Sequence, residues 1–240
     1  MTYNVAKATA SDLTLINYTI EVESQPKPTT WTTITSQGTG VNFGELGAWD
    51  TTAVSDGDYR LRLSGQDSNG YESQVLLSIQ VDNTPPTAMI HKPEQMVNER
   101  WIASGKIAIR ATANDQNLES HRLEYGSGLD PAAWQAVAGV SQAPVQAAVL
   151  QEWDTSRLAG GEYTLCLTVT DRAGLSSETR LKLILDNQQA GAELMAPSQN
   201  QYVNGQIAII GTVNDQNFKG YRVELGVGRN PDNWQVLTQL

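Results

Sequence analysis

Apolar and polar residues alternate with a period of two along most of the chain, and the alternation breaks repeatedly at clusters of Asn, Asp and Gly. The stretch Lys106-Ile107-Ala108-Ile109-Arg110-Ala111 alternates bulky apolar with small or polar side chains and stops at Asn114-Asp115-Gln116-Asn117, which predicts a strand followed by a turn. His121, Leu123 and Tyr125 then point one way and Arg122 and Glu124 the other, until Gly126-Ser127-Gly128 ends the strand. Residues 134–140 and 145–150 supply two more short strands. Tyr163, Leu165, Leu167 and Val169 face inward against Thr164, Cys166, Thr168 and Thr170, and Asp171-Arg172-Ala173-Gly174 turns the chain into a last strand over 178–185. With an opening strand over 88–91, the pattern predicts about seven strands in roughly 100 residues, an arrangement that points to an immunoglobulin-like sandwich. No long segment keeps a helical period.

The pattern repeats. Asp12, Asp115 and Asp215 occupy one position, as do Glu21, Glu124 and Glu224, and Trp31, Trp134 and Trp234. A second set recurs once: Trp49-Asp50-Thr51 with Trp153-Asp154-Thr155, Tyr59 with Tyr163, Asp67 with Asp171, and Asp82-Asn83 with Asp186-Asn187. Common spacings across several residue types mark tandem structural units. The expected domains are 1–84, a sandwich short of its first strand; 85–188, a complete sandwich; and 189–240, the N-terminal part of a third, with Ile207, Ile209, Tyr221, Val223 and Leu225 on one face. Half a sandwich buries too little surface to be stable alone. The third unit is therefore expected to be completed by a protein partner or by the remainder of a longer polypeptide.

Two motifs carry a resemblance. Gly57-Asp58-Tyr59-Arg60-Leu61 and Gly161-Glu162-Tyr163-Thr164-Leu165 fit a tyrosine corner at the start of the sixth strand, with Val54 and Leu158 covering the bottom of the core. Gly126-x-Gly128-x-x-Pro131-x-x-Trp134 recurs as Gly226-x-Gly228-x-x-Pro231-x-x-Trp234, whereas the first unit has Glu23-Ser24-Gln25-Pro26-Lys27-Pro28 there. With Asp82-Asn83-Thr84-Pro85-Pro86, these features resemble fibronectin type III and related bacterial Ig-like tandem repeats of large secreted or surface proteins, including adhesins and YD-repeat toxins. The resemblance implies an all-β fold of tandem sandwiches, an extracellular or cell-surface location, and a role as spacer, stalk or docking module without catalytic residues.

Composition narrows the function classes. The chain of 240 residues carries a formal charge of −10 with 16 basic residues spread thinly, so nothing favours a nucleic-acid backbone as partner. Apolar runs fall short of a membrane helix, and Met1 to Ala10 does not read as a signal peptide. The single cysteine, Cys166, forms no internal disulfide, so the sandwiches rely on packing. Its counterpart is Arg62, which predicts an exposed thiol on the outer sheet face.

The candidate sites are few. His121 falls where the other units have Tyr18 and Tyr221 and reads as a core-edge ring, and His91 has no catalytic motif beside it. Asp50 and Asp154 follow a tryptophan once per unit, the mark of a turn device rather than a glycosidase pair. Asp115, Asn117, Asp215 and Asn217 form oxygen-rich loops at the junctions and are a weak calcium alternative, because Asx turns account for them without a metal. No cofactor is expected. The repeated tryptophans are expected to cover cores, whereas Trp101, matched to Gln201 and next to a four-residue insertion, is a candidate ligand or partner contact. The reading is a non-enzymatic rod or docking segment. Its rivals are a carbohydrate- or receptor-binding adhesin segment, with a glycan as ligand, and an accessory region of a polymorphic or insecticidal toxin. The proline pair at 85–86 predicts a stiffer first joint than the proline-free Gln188-Gln189-Ala190-Gly191.

Overall fold

The computed structural model describes residues 7–10, 14–24, 30–92 and 101–240. Asp12, residues 1–6 and 25–29, and the insertion before Trp101 lie outside the described residues. Strands are the dominant regular structure of the described chain, in three consecutive repeats, and no α-helix occurs among the described residues.

In the first repeat, β1 (Lys7–Ala10) pairs antiparallel with β4 (Val41–Glu45), and β3 (Thr32–Gln37), β2 (Leu15–Ser24), β5 (Gly57–Asp67) and β6 (Glu72–Val81) form a four-stranded sheet in that order. A short 3-10 turn, Thr51–Ala53, precedes β5. The buried centre is small: Val22, Tyr59 and Val81, with Trp49, Val54 and Leu61 packed against it.

The second repeat is a closed sandwich. Its strands are β7 (Thr87–Ile90), β8 (Trp101–Ala103), β9 (Lys106–Asn114), β10 (Leu118–Ser127), β11 (Gln135–Ala136), β12 (Val145–Asp154), β13 (Gly161–Asp171) and β14 (Ser176–Leu185). One layer runs β12-β9-β7 and the other β11-β10-β13-β14-β8. The expected seven strands become eight, because the opening strand divides: β7 pairs with β9 in one layer, and β8 crosses to lie parallel to β14 in the other. Conversely, the strand expected over 134–140 shrinks to β11, as the chain leaves β10 and rejoins it through a bridge between His121 and Ser141. Alternate residues of β13 and β14 fill the core, and Leu165, Leu167, Val169, Leu183 and Leu185 are almost completely buried, each stabilising the fold by about 1.5–3 kcal/mol relative to exposure. The facing layer supplies Ile109, Ala111 and Ala113, and the small side chains of the two alanines let the layers approach.

The third repeat contains β15 (Gly191–Ala196) paired with β16 (Ile210–Asn214), and β17 (Arg222–Gly226) paired with β18 (Trp234–Gln239). The expected strand through Ile207 and Ile209 begins only at Ile210. In the second repeat the matching half of β9 is held by β12, with Lys106 opposite Asp154 and Ile107 opposite Trp153, and strand length follows the available partner. Ile207, Ile209, Tyr221 and Leu225 remain exposed.

Local chemistry explains the motifs. A side chain at Gly126 or Gly226 would collide with Pro131 or Pro231, so this glycine lets the proline fold back against the strand and returns Trp134 and Trp234 to the sheet. Gly57 and Gly161, at φ 149° and 139°, start β5 and β13 in backbone that side-chain-bearing residues rarely adopt, placing Tyr59 and Tyr163 two residues later.

Two expectations require correction. Cys166 does lie on the outer face of β13, opposite the core residues, but it is 4% exposed rather than open to solvent. Glu124 and Arg180 flank it on β10 and β14, Arg180 is stacked toward Trp134, and Thr164 beside it donates to the Gly128 carbonyl, so long side chains and the hairpin loop cover the sulfur. The tryptophans at 31, 134 and 234 do not cover the core. Trp31 lies under the guanidinium of Arg62 at 4.1 Å, Trp134 under that of Arg180 at 5.2 Å, and Trp234 is 59% exposed. The glycine-proline turn brings Trp134 and Trp234 to the outer face, and for Trp31 and Trp134 cation–π contact replaces core burial. Trp49 and Trp153 do pack inward, against Tyr59 and Tyr125.

Candidate functional site

The repeated Asp and Asn residues converge where one repeat meets the next. β7 starts opposite the end of β9, with Thr87 paired to Asn114, and β15 starts opposite the end of β16, with Gly191 paired to Asn214. This register sets the turn after Asn114, or after Asn214, against the chain leaving the preceding repeat. Asp115 Oδ1 accepts from the Asn117 backbone N–H at 2.6 Å, and Asp215 does the same for Asn217 at 2.7 Å, each an Asx turn. The freed amides reach across: Asn117 Nδ2 donates to Asp82 Oδ2 at 2.7 Å, and Asn217 Nδ2 to Asp186 Oδ2 at 2.6 Å. The other oxygens, Asp82 Oδ1 and Asp186 Oδ1, accept from the backbones of Thr84 and Gln188. The four residues of the calcium alternative thus all serve hydrogen bonds at the junctions, and among the described residues no group of three or more His, Cys, Asp and Glu is placed to hold a metal ion.

The next residue faces backward. Asn83 Nδ2 donates to the carbonyls of Thr51 and Val54, and Asn187 Nδ2 to those of Thr155 and Leu158. At the first joint Asp56 also accepts from the Asn83 backbone N–H and the Thr84 hydroxyl; the Thr84 bond, followed by that from Asn83, holds its carboxyl below the usual range. Beside the second joint, an open cleft of about 350 Å³ is lined by Ile102, Ser104, Asp186, Gln188, Asp215 and Lys219.

Elsewhere the structure gives each singled-out residue a local task. Asp50 accepts from the hydroxyl and backbone N–H of Thr52, and Asp154 from those of Ser156, so both are turn caps; these bonds, the hydroxyl's first, lower each carboxyl's pKa. His121 is buried, with Nε2 at 2.9 Å from the Ala143 carbonyl, and His91 Nε2 lies 2.9 Å from the Thr112 hydroxyl. Trp101, the candidate contact, is half-buried: β8 pairs it with Leu183, and its ring packs against the core of the second repeat.

The structure also shows groups that the sequence reading passed over. On the outer face of the first repeat, Arg60 is paired with the buried Glu23, and Arg62 with Glu21 at 2.6 Å, beside Trp31. Their legible signal was Tyr59-Arg60-Leu61-Arg62, arginine at both outward positions of a strand whose inward positions are apolar. Asp171 carries a buried oxygen, Oδ2, with no hydrogen-bond partner.

No protein-family model and no curated protein matches the chain. Among solved structures it is similar to the fibronectin(III)-like modules of Clostridium thermocellum CbhA, at 17% identity over 75% of this chain and 83% of that one, with a TM-score of 0.38. It is also similar to a tetra-tandem repeat in the extending region of a large adhesion protein, at 17% identity over 82% of this chain and 47% of that one, with a TM-score of 0.36. A third likeness is to protocadherin gamma B2 extracellular cadherin domains 3–6, at 12% identity over 92% and 55% of the two chains, with a TM-score of 0.30. The all-β sandwich architecture of this chain stands on its own strand order and register.

Proposed function

We propose that this chain is a non-catalytic structural and interaction segment, a rod or docking stretch of a large secreted or cell-surface protein, built from tandem units over 1–84, 85–188 and 189–240. The carrying observation is that both junctions use the same Asp–Asn bond, Asp82 to Asn117 and Asp186 to Asn217. Repetition of a contact between units, as well as within them, is what a segment needs to extend in a defined direction. Small-angle scattering of the full chain checks this: an elongated particle is expected, and a compact one with the repeats folded back on each other overturns it.

A docking role is supported by the third repeat. Ile209 and Leu225 are 43% and 52% exposed, while the matching Ile109 is 1% exposed under the strands that cover it in the second repeat. Strands supplied by a protein partner or by a longer polypeptide complete this half, with the alternation of Tyr163, Leu165, Leu167 and Val169 as the template. A synthetic peptide of residues 161–185 is expected to bind the full chain and slow hydrogen exchange in β17. Unchanged exchange at saturating peptide sinks the docking reading.

A further inference from the structure

We infer that the Asp-Asn pair ending each repeat, with the Asn in the turn after β9 or β16 of the next, is a two-sided clamp that fixes the angle between successive repeats. The inference deepens the rod reading by naming what sets the direction of the rod. Asn83 and Asn187 grip the repeat behind through two carbonyls each. Asp82 and Asp186, one residue earlier, grip the repeat ahead through the amides of Asn117 and Asn217. Each aspartate also holds the start of its own linker. A carboxylate accepting an amide N–H makes a short, directional, charge-assisted bond, and at both joints its members are half-buried.

The two joints differ in almost everything else. The first linker contains Pro85-Pro86 and the Asp56 contacts, whereas the second contains Gln188-Gln189. Thirty-five residues separate Asp82 from Asn117, and thirty-one separate Asp186 from Asn217. The bond nevertheless forms at both, because the pairings of Thr87 with Asn114 and Gly191 with Asn214 fix where the turn lies, whatever happens between the strands. This revises the expectation that proline content ranks the joints. Proline stiffens the linker backbone of the first joint alone, whereas the clamp attaches the linker to the following repeat at both joints.

The test is pulsed electron paramagnetic resonance on the full chain in a Cys166→Ser background, with chelator present. Nitroxides at Gln74→Cys and Ala132→Cys report on the first joint, and at Ala132→Cys and Asp232→Cys on the second. Narrow distance distributions of similar width are expected at both. Asn117→Asp, which sets two carboxylates against each other, is expected to abolish the narrow peak at the first joint alone, and Asp82→Asn combined with Asn117→Asp to restore it by reversing donor and acceptor. Asn217→Asp transfers the loss to the second joint and serves as the test should Asn117→Asp disturb the fold of the second repeat, which near-ultraviolet circular dichroism monitors. A first joint much narrower than the second in the parent protein, unchanged widths in both Asn→Asp variants, or failure of the exchange to restore the peak overturns the clamp. An elongated scattering envelope with broad joints separates failure of the clamp from failure of the rod.

Discussion

The hydroxyl of Tyr163 donates to the carbonyl of Ala159, four residues upstream, at 3.1 Å; Tyr59 makes the same bond to Ser55 at 2.8 Å. Both rings are buried, so the hydroxyl ties the loop before each strand to its core face. Replacing either tyrosine by phenylalanine is expected to cost about 1 kcal/mol, the usual net contribution of such a hydrogen bond. Urea midpoints of the two variants check this, and an unchanged midpoint shows a hydroxyl that does not matter to folding.

Asp67 and Asp171 occupy the same place in successive repeats but differ in one partner. Asp67 receives the backbone N–H of Asn69 and of Tyr71, with the Asn69 amide 3.4 Å from its second oxygen. Asp171 receives the N–H of Leu175, while its second oxygen is buried and unpartnered, because Ala173 stands where Asn69 does. Ala173→Asn is therefore expected to stabilise the second repeat by about 0.5–1.5 kcal/mol through a new donor. Thermal unfolding measures it, and a lower midpoint refutes it.

Phe43 and Ala147, also equivalent, have φ of 52° and 47°, and both lie at register shifts in strands that pair on one side. Each is a bulge that interrupts the free edge of its strand and hinders pairing with another chain. Ala147 is exposed, so Ala147→Gly loses no burial and is expected to stabilise by about 0.5–1 kcal/mol by relieving the left-handed backbone. Ala148→Gly, next to it, is expected to destabilise. Chemical denaturation of the pair decides, and the same sign for both variants removes the strain argument.

Burial, followed by the charge of Glu178, pushes the Cys166 thiol up from its ordinary value of 9.0. Its folded pKa lies above its unfolded one, so its contribution to stability is present below about pH 9 and is lost as pH rises toward the folded value. Two outcomes are expected. A thiol reagent labels the native protein far more slowly than the denatured chain, and Cys166→Ser reduces the loss of stability above about pH 9. Equal labelling rates in the two states refute the burial.

The alternation of Tyr163, Leu165, Leu167 and Val169 determined which face of β13 turns inward, because period two leaves one choice once a face is apolar. Spacing determined the repeats, and the glycines before Tyr59 and Tyr163 marked the corners, since those backbone angles exclude other residues. Only the tertiary structure decided what lies over the outer face. Arg62 in one repeat and Cys166 in the next look equally open in a linear pattern, but the hairpin returning Trp134 under Arg180 covers the second, and that cover comes from strands far apart in sequence. The same holds at the joints. Asp82, Asn83 and Asn117 were visible as turn residues, but which of them grips forward and which backward depends on the pairing of Thr87 with Asn114, a register fixed by long-range contacts that the linker itself does not encode.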